Sequence, residues 1–192
     1  MINLDVLKKT FPQCQEIHKN IFLITDFISE EDRILLMSMA QNASEDDWRK
    51  DYIESLDDIK YDINYPWHDK ALNIDSSLGT SLRDEIKSAI GKDYLIQRFG
   101  TIQRHYPGSS LAEHSDRGYN REPEYAIVLY LNDDYLGGEL YFSNLNLEFK
   151  FPKGSMVVFA TGDEYMHGVK EILEGPTRYV ITSFIFNNIG PN

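Results

Sequence analysis

The sequence predicts an α+β chain that is mainly β, a sandwich or jelly roll with its amino-terminal helices packed on one outer face. Three features point there. Helical periodicity is confined to the first half, short apolar runs crowd the second, and Gly, Pro and Asp punctuate those runs.

In chain order, Ile21-Phe22-Leu23-Ile24 reads as a short buried strand. Ser29-Glu30-Glu31-Asp32 follows as a helix-capping signature, with apolar Ile34, Leu35, Leu36, Met37 and Met39 behind it. A second helix starts near Ser76 or Ser77 and carries Leu78, Leu82, Ile86 and Ile90 at steps of four, with Gly91 placed to end it in a left-handed cap. From Tyr94 onward strand signals take over. Tyr125 to Leu131 is a nearly continuous apolar run closed by the turn-forming Asn132-Asp133-Asp134. Leu147, Phe149 and Phe151 alternate with Glu148 and Lys150, the pattern of a half-buried strand. Met156 to Ala160 and Tyr179 to Phe186 are two further strands.

At 192 residues the chain fits one domain (1–192), with helical support and an acidic loop over 1–93 and a β core over 94–188. No repeat or Pro/Gly/Ser linker marks a boundary. No apolar run approaches the roughly 20 residues that cross a bilayer, and the first residues carry no long apolar centre, so neither membrane span nor secretory signal is expected. The single cysteine, Cys14, excludes an internal disulfide and suits a reduced, cytoplasmic protein. With 19 basic and 31 acidic residues the formal net charge is −12, which repels phosphate backbones and anionic lipid and favours a basic or neutral partner.

The segment Ser44–Asp75 has its own texture. It holds ten acidic residues against four basic ones, interleaved with Trp48, Tyr52, Tyr61, Tyr65 and Trp67. Two readings stand: a solvated excursion pinned to the core by its aromatics, or a mobile lip over a binding site.

Among the five histidines, His114-Ser115-Asp116 is the informative unit. On an extended segment, residues two apart share a face, so an imidazole and a carboxylate can meet one ion. His167, followed by Gly168, supplies a second imidazole. Two histidines and one carboxylate with other positions open is the arrangement of non-haem Fe(II) oxygenases. Imidazole suits Fe(II), one carboxylate partly offsets the dication, and open sites admit a cosubstrate and O₂. Arg178 opens the last apolar strand. A guanidinium aimed into an apolar barrel is costly unless it meets an anion, and its fork matches a carboxylate; at a strand entrance it could equally face solvent.

Residues Arg104-His105-Tyr106-Pro107-Gly108 through His114-Ser115-Asp116 resemble the Fe(II)/2-oxoglutarate-dependent dioxygenases, in particular the prolyl 4-hydroxylase-like branch. So do Leu129-Tyr130-Leu131-Asn132-Asp133, Gly137-Gly138-Glu139-Leu140-Tyr141-Phe142, Pro152-Lys153-Gly154-Ser155, His167-Gly168-Val169 and Gly175-Pro176-Thr177-Arg178-Tyr179, in the family's order. Ile21 to Ser29 is similar to that branch's passage from strand to helix.

The resemblance implies a double-stranded β-helix, or jelly roll, with the iron near one open end. It casts His114, Asp116 and His167 as ligands of Fe(II). It gives Arg178 the distal carboxylate of 2-oxoglutarate, where collagen-type relatives use a lysine, and Tyr106 a hydrogen bond to the same carboxylate. The implied reaction consumes 2-oxoglutarate and O₂, releases succinate and CO₂, and hydroxylates a prolyl residue in a peptide or protein; ascorbate is an additional reductant that the resemblance allows. Gly137-Gly138 is at least a turn between strands, and Tyr130 and Tyr141 are core or cavity-lining aromatics.

Tyr65 and Trp67, flanking Pro66, offer flat faces for a proline ring, and Arg117 and Tyr119 follow the metal motif closely enough to face substrate; a plain surface loop reads equally well. The acidic balance favours a peptide bearing Lys or Arg. Competing readings are a catalytically silent jelly-roll binding module, which has no need of His114, Asp116, His167 and Arg178 together, and a dioxygenase acting on a free amino acid or other small molecule. Nucleic-acid demethylation lacks a basic stripe. The oligomeric state is not legible.

Overall fold

The computed structural model describes residues 2–48, 71–74, 76–91, 93–96, 101–116 and 123–187. Along the chain run α1 (Leu4–Thr10), β1 (Cys14–His18), β2 (Ile21–Ile24), α2 (Glu30–Asn42), β3 (Ala71–Asn73), α3 (Ser76–Ile90), β4 (Tyr94–Ile96), β5 (Thr101–His105) and β6 (Leu111–His114). Then follow β7 (Tyr125–Tyr130), β8 (Leu136–Gly137), β9 (Leu140–Phe142), β10 (Leu147–Phe149), β11 (Met156–Ala160), β12 (His167–Val169), β13 (Ile172–Glu174) and β14 (Arg178–Asn187).

The strands form a large antiparallel sheet in the order β1-β2-β11-β7-β14-β5-β3, with β4 also on β14, and a smaller one in the order β10-β9-β12-β6. A short ribbon pairs β13 with β8. This is the jelly roll that the sequence predicts.

Period-two alternation divides the large sheet into two buried faces. Ile127 and Leu129 of β7, Met156 and Val158 of β11, and Ile181 and Ile185 of β14 join one apolar cluster with Leu7 of α1, Leu36 and Ala40 of α2, and Leu82 and Ile86 of α3. The intervening Ala126 and Tyr130, Val157 and Phe159, and Val180 join another, with Leu140, Phe142 and Val169 of the smaller sheet. Strands buried on both faces favour apolar residues at successive positions, which is why β7 and β11 read as nearly continuous apolar runs rather than alternating ones.

The two predicted helices form where their signals lie, and α1, capped by Asn3 accepting the Asp5 N–H, is a third not predicted from the sequence. Ser29 caps α2 by accepting the Asp32 N–H at 3.0 Å. Gly91 takes a φ of +90° past the end of α3 and donates its N–H to Lys87. One detail differs: Ile34 and Leu35 stand about half exposed on α2, while Leu36 and Ala40 are buried. At 3.6 residues per turn, apolar neighbours in a row cannot all face the same core. No helix among the described residues is long and apolar enough to cross a membrane.

Candidate active site

The smaller sheet builds the first half of the site. β6 and β12 are antiparallel, and His114 lies directly opposite His167, their ring centroids 4.4 Å apart. Cross-strand partners project to the same face, so a histidine ending one strand meets a histidine beginning the other. Asp116 sits two residues past His114 and turns back between them. Its Oδ1 lies 3.5 Å from His114 Nε2 and its Oδ2 3.5 Å from His167 Nε2. One ligand atom from each of the three residues lies within 4.8 Å of the others.

The imidazoles are oriented from behind. His114 Nδ1 lies 3.0 Å from the Ala112 carbonyl and His167 Nδ1 3.0 Å from the Tyr165 carbonyl. A carbonyl only accepts, so both Nδ1 atoms carry the proton and both Nε2 lone pairs face the Asp116 carboxylate. Asp116 Oδ2 is buried and has no hydrogen-bond partner among the described residues. Lone pairs converging on one point repel unless a cation stands among them, and two imidazoles with one carboxylate suit Fe(II). These residues fit the metal. Burial presses the His114 pKa down, but a proton on Nε2 would meet the hydrogen bond and charge of Asp116, which outweigh burial and leave the pKa raised. His167 is lowered, by burial first and with His114 adding to it.

Aromatic packing fixes His167. Phe159 meets its ring edge-on at 4.7 Å between centroids, and Phe142, its cross-strand neighbour on β9, lies at 6.0 Å. Gly168 leaves β12 room to approach: a Cβ there would stand 2.4 Å from the Tyr141 hydroxyl and 2.6 Å from the Leu111 carbonyl oxygen.

The large sheet builds the second half. Arg178 opens β14, is 2% exposed, and pairs in register with His105 of β5. Val180, two residues on and therefore on the same face, belongs to the cluster between the sheets. Arg178 thus points inward, not to solvent. Its guanidinium carbon lies 5.3 Å from the Tyr130 ring centroid. Among the described residues, Arg178 Nε and the hydroxyls of Tyr130 and Tyr135 find no acceptor and are buried. A buried guanidinium among unspent donors is the environment of a carboxylate. His105 is held well below the ordinary imidazole value by its burial and by the Arg178 charge. It adds no positive charge, so the pocket suits a single carboxylate.

Tyr106 is 37% exposed, and the Arg104 guanidinium lies 5.2 Å from its ring centroid. The phenols placed beside Arg178 are Tyr130 and Tyr135, whose ionisation its charge opposes burial to favour. Of the two aromatics left open by the sequence, Tyr130 is fully buried within the pocket and Tyr141 packs on Gly168. Tyr135 and His105 carried no sequence signal beyond an aromatic shortly before Gly137-Gly138 and a histidine ahead of Tyr106. Tyr65, Trp67, Arg117 and Tyr119 lie outside the described residues, as does most of Ser44–Asp75. Trp48, at its described beginning, is buried; the Arg104 guanidinium lies 4.3 Å over its ring, and Arg104 also forms a two-point ion pair with Glu45.

A family model described as the 2OG-Fe(II) oxygenase superfamily matches residues 100–186. Prolyl 3-hydroxylase 2 of Homo sapiens and prolyl 3-hydroxylase 1 of Gallus gallus are each 37% identical over 57 residues, which is 27% of this chain and 8% of each relative. The match therefore spans a small part of those proteins. Among solved structures, the viral collagen prolyl hydroxylase of Paramecium Bursaria Chlorella virus-1 aligns with a TM-score of 0.60 at 16% identity, over 88% of this chain and 96% of that one. A prolyl-4-hydroxylase of Pseudomonas putida gives 0.58 at 17%, over 97% and 100%. A Trichoplax adhaerens prolyl hydroxylase, solved with a hypoxia inducible factor peptide fragment, gives 0.60 at 19%, over 95% and 87%. At these identities the solved structures establish the shared fold.

Proposed function

Taking residues 100–186 as a 2OG-Fe(II) oxygenase domain, we propose that the chain is an Fe(II)- and 2-oxoglutarate-dependent dioxygenase that hydroxylates a prolyl residue of a peptide or protein. The observation that carries the chemistry is the convergence of His114, Asp116 and His167 on one point with both imidazole tautomers set by backbone carbonyls. Prolyl specificity is supported by the names of the curated relatives and of several fold neighbours, which are prolyl hydroxylases; another neighbour is named only as an oxidoreductase of the 2OG-Fe(II) oxygenase family.

In this reading His114, Asp116 and His167 would hold Fe(II), which with 2-oxoglutarate and O₂ would supply the oxidising power, one oxygen atom ending in succinate, released with CO₂, and the other in the substrate hydroxyl. The chain supplies position. Arg178 and Tyr130 anchor the far carboxylate of 2-oxoglutarate, while Phe142 and Phe159 keep the ligand histidine His167 dry and aimed. Tyr106 is assigned a further hydrogen bond to the same carboxylate, and Tyr65, Trp67, Arg117 and Tyr119, outside the described residues, are assigned to substrate contact. The charge of −12 favours peptides bearing Lys or Arg through faster encounter.

Succinate release tests the reading, measured with Fe(II), 2-oxoglutarate and proline peptides with or without flanking lysines. At least one peptide should raise succinate above the uncoupled background and gain one oxygen, and amino-acid analysis then separates 3- from 4-hydroxyproline. Turnover stimulated by a free amino acid but by no peptide would remove the peptide substrate. The absence of any turnover would favour a binding module.

A further inference from the structure

We propose that Tyr135 is a second phenol donor, alongside Tyr130, for the carboxylate that Arg178 holds. This rests on the reading of 2-oxoglutarate as cosubstrate and deepens it.

The Tyr135 ring is buried and its hydroxyl, beside the Arg178 guanidinium, has no acceptor among the described residues. A buried tyrosine ordinarily spends its O–H on a neighbour, and a guanidinium offers only donors, so this O–H is left for a bound carboxylate. Three contacts show that its place is built rather than incidental. Gly138, at φ +69°, clears the ring: a Cβ there would stand 2.9 Å from Tyr135 Cε2. Gly175, at φ +109°, clears the backbone, where a Cβ would stand 2.8 Å from Tyr135 Cα. Lys150 donates to the Tyr135 carbonyl and lies 4.6 Å from its ring centroid.

The loop itself is tied to the strand that carries Arg178. Asn132 donates to the Thr177 carbonyl at 2.9 Å and accepts from the Tyr179 N–H at 2.8 Å, so residues on both sides of Arg178 are pinned to the loop that ends in Tyr135. Burial raises the Tyr135 phenol against the opposing pull of Arg178, which leaves it protonated and able to donate at neutral pH. A donor held this rigidly loses little entropy when it binds.

The test is calorimetric binding to Mn(II)-loaded protein, with 2-oxoglutarate and 2-oxopentanoate as probes. The two share the chelating head, and only the first carries the far carboxylate. Tyr135→Phe keeps the packed ring and removes the donor. We expect it to weaken 2-oxoglutarate about tenfold, the scale of one hydrogen bond to a charged group, and to leave 2-oxopentanoate unchanged. A purely structural role would weaken both alike and would overturn the proposal. So would Tyr135→Phe binding 2-oxoglutarate as tightly as wild type while Arg178→Gln loses it; the cosubstrate reading would then survive. If Arg178→Gln also binds normally, that reading itself fails. Should Tyr135→Phe not fold, Tyr135→Trp fills the slot with a displaced N–H, and the same selective loss is expected.

Discussion

His114 and His167 are direct partners across β6 and β12, so the metal-facing geometry is a consequence of backbone register between two strands. A change that separates the strands must therefore spread the ligands. Gly168 is a point of close approach, with the Leu111 carbonyl oxygen 2.6 Å from the position of a Cβ. That atom is backbone and cannot swing aside. Gly168→Ala should lower Mn(II) affinity by about 10–100-fold, the range seen when the supports of metal ligands are disturbed. A Co(II) or Mn(II) titration returning wild-type affinity would show that β12 absorbs the methyl elsewhere.

Asp116 faces two imidazole lone pairs at 3.5 Å, an arrangement that a cation rewards and its absence penalises. Melting curves should show both sides of this. Mn(II) at about 100 times its dissociation constant should stabilise wild type by about 2.7 kcal/mol. Asp116→Ala should lose that response and, stripped with chelator, melt no lower than stripped wild type. A chelated variant much less stable than chelated wild type would mean that the carboxylate is a structural hydrogen-bond acceptor instead.

The metal motif was legible in part because His114 and Asp116 are near neighbours in sequence. What joins His167 to them is strand pairing, which no local pattern encodes; there the family resemblance did what spacing could not. Helix limits were legible because Ser29 and Gly91 act locally, through a capping hydroxyl and a left-handed φ. Strand β5 was not, since Gln103, Arg104 and His105 give it the look of polar loop, and β6 was legible only as the extended segment that the metal motif requires. Their polarity belongs to the site and to the Arg104 contacts with Trp48 and Glu45. Tyr130 was undecidable from sequence for a different reason. With both faces of β7 buried, periodicity cannot tell a core tyrosine from one beside a guanidinium.

His105 gives a pH signature. Burial and the Arg178 charge hold its folded pKa well below the ordinary 6.5. As pH falls through 6.5, the unfolded chain binds a proton that the folded one refuses, so stability declines until the folded pKa is reached. The contribution is fully present above 6.5 and lost at up to about 1.4 kcal/mol per pH unit below it. His167 shifts in the same direction, so the His105 share is the difference between wild type and His105→Gln in urea denaturation. The variant should show the shallower slope between the ordinary histidine value and the onset of carboxylate titration. Parallel curves would place His105 in contact with an acceptor that offsets the guanidinium.

Asn132 separates the two halves of the site. Its side chain is buried, donates to the Asp134 carboxylate at 2.8 Å and to the Thr177 carbonyl, and accepts from the Tyr179 N–H. Asn132→Ala takes the partner from the last two groups, both part-buried, at a cost of about 1–3 kcal/mol. Asn132→Asp keeps the acceptor for Tyr179 but replaces both donations with a charge facing a carbonyl and a carboxylate, so it should not rescue. The damage falls on the residues flanking Arg178, which lie on the large sheet, whereas His114 and His167 lie on the smaller one. At a temperature where Asn132→Ala remains folded, the apparent KM for 2-oxoglutarate should rise at least severalfold while Mn(II) affinity stays within about twofold of wild type. A parallel loss of metal affinity would show that the two sheets respond as one unit, and that Asn132 supports the whole barrel rather than the carboxylate end of its site.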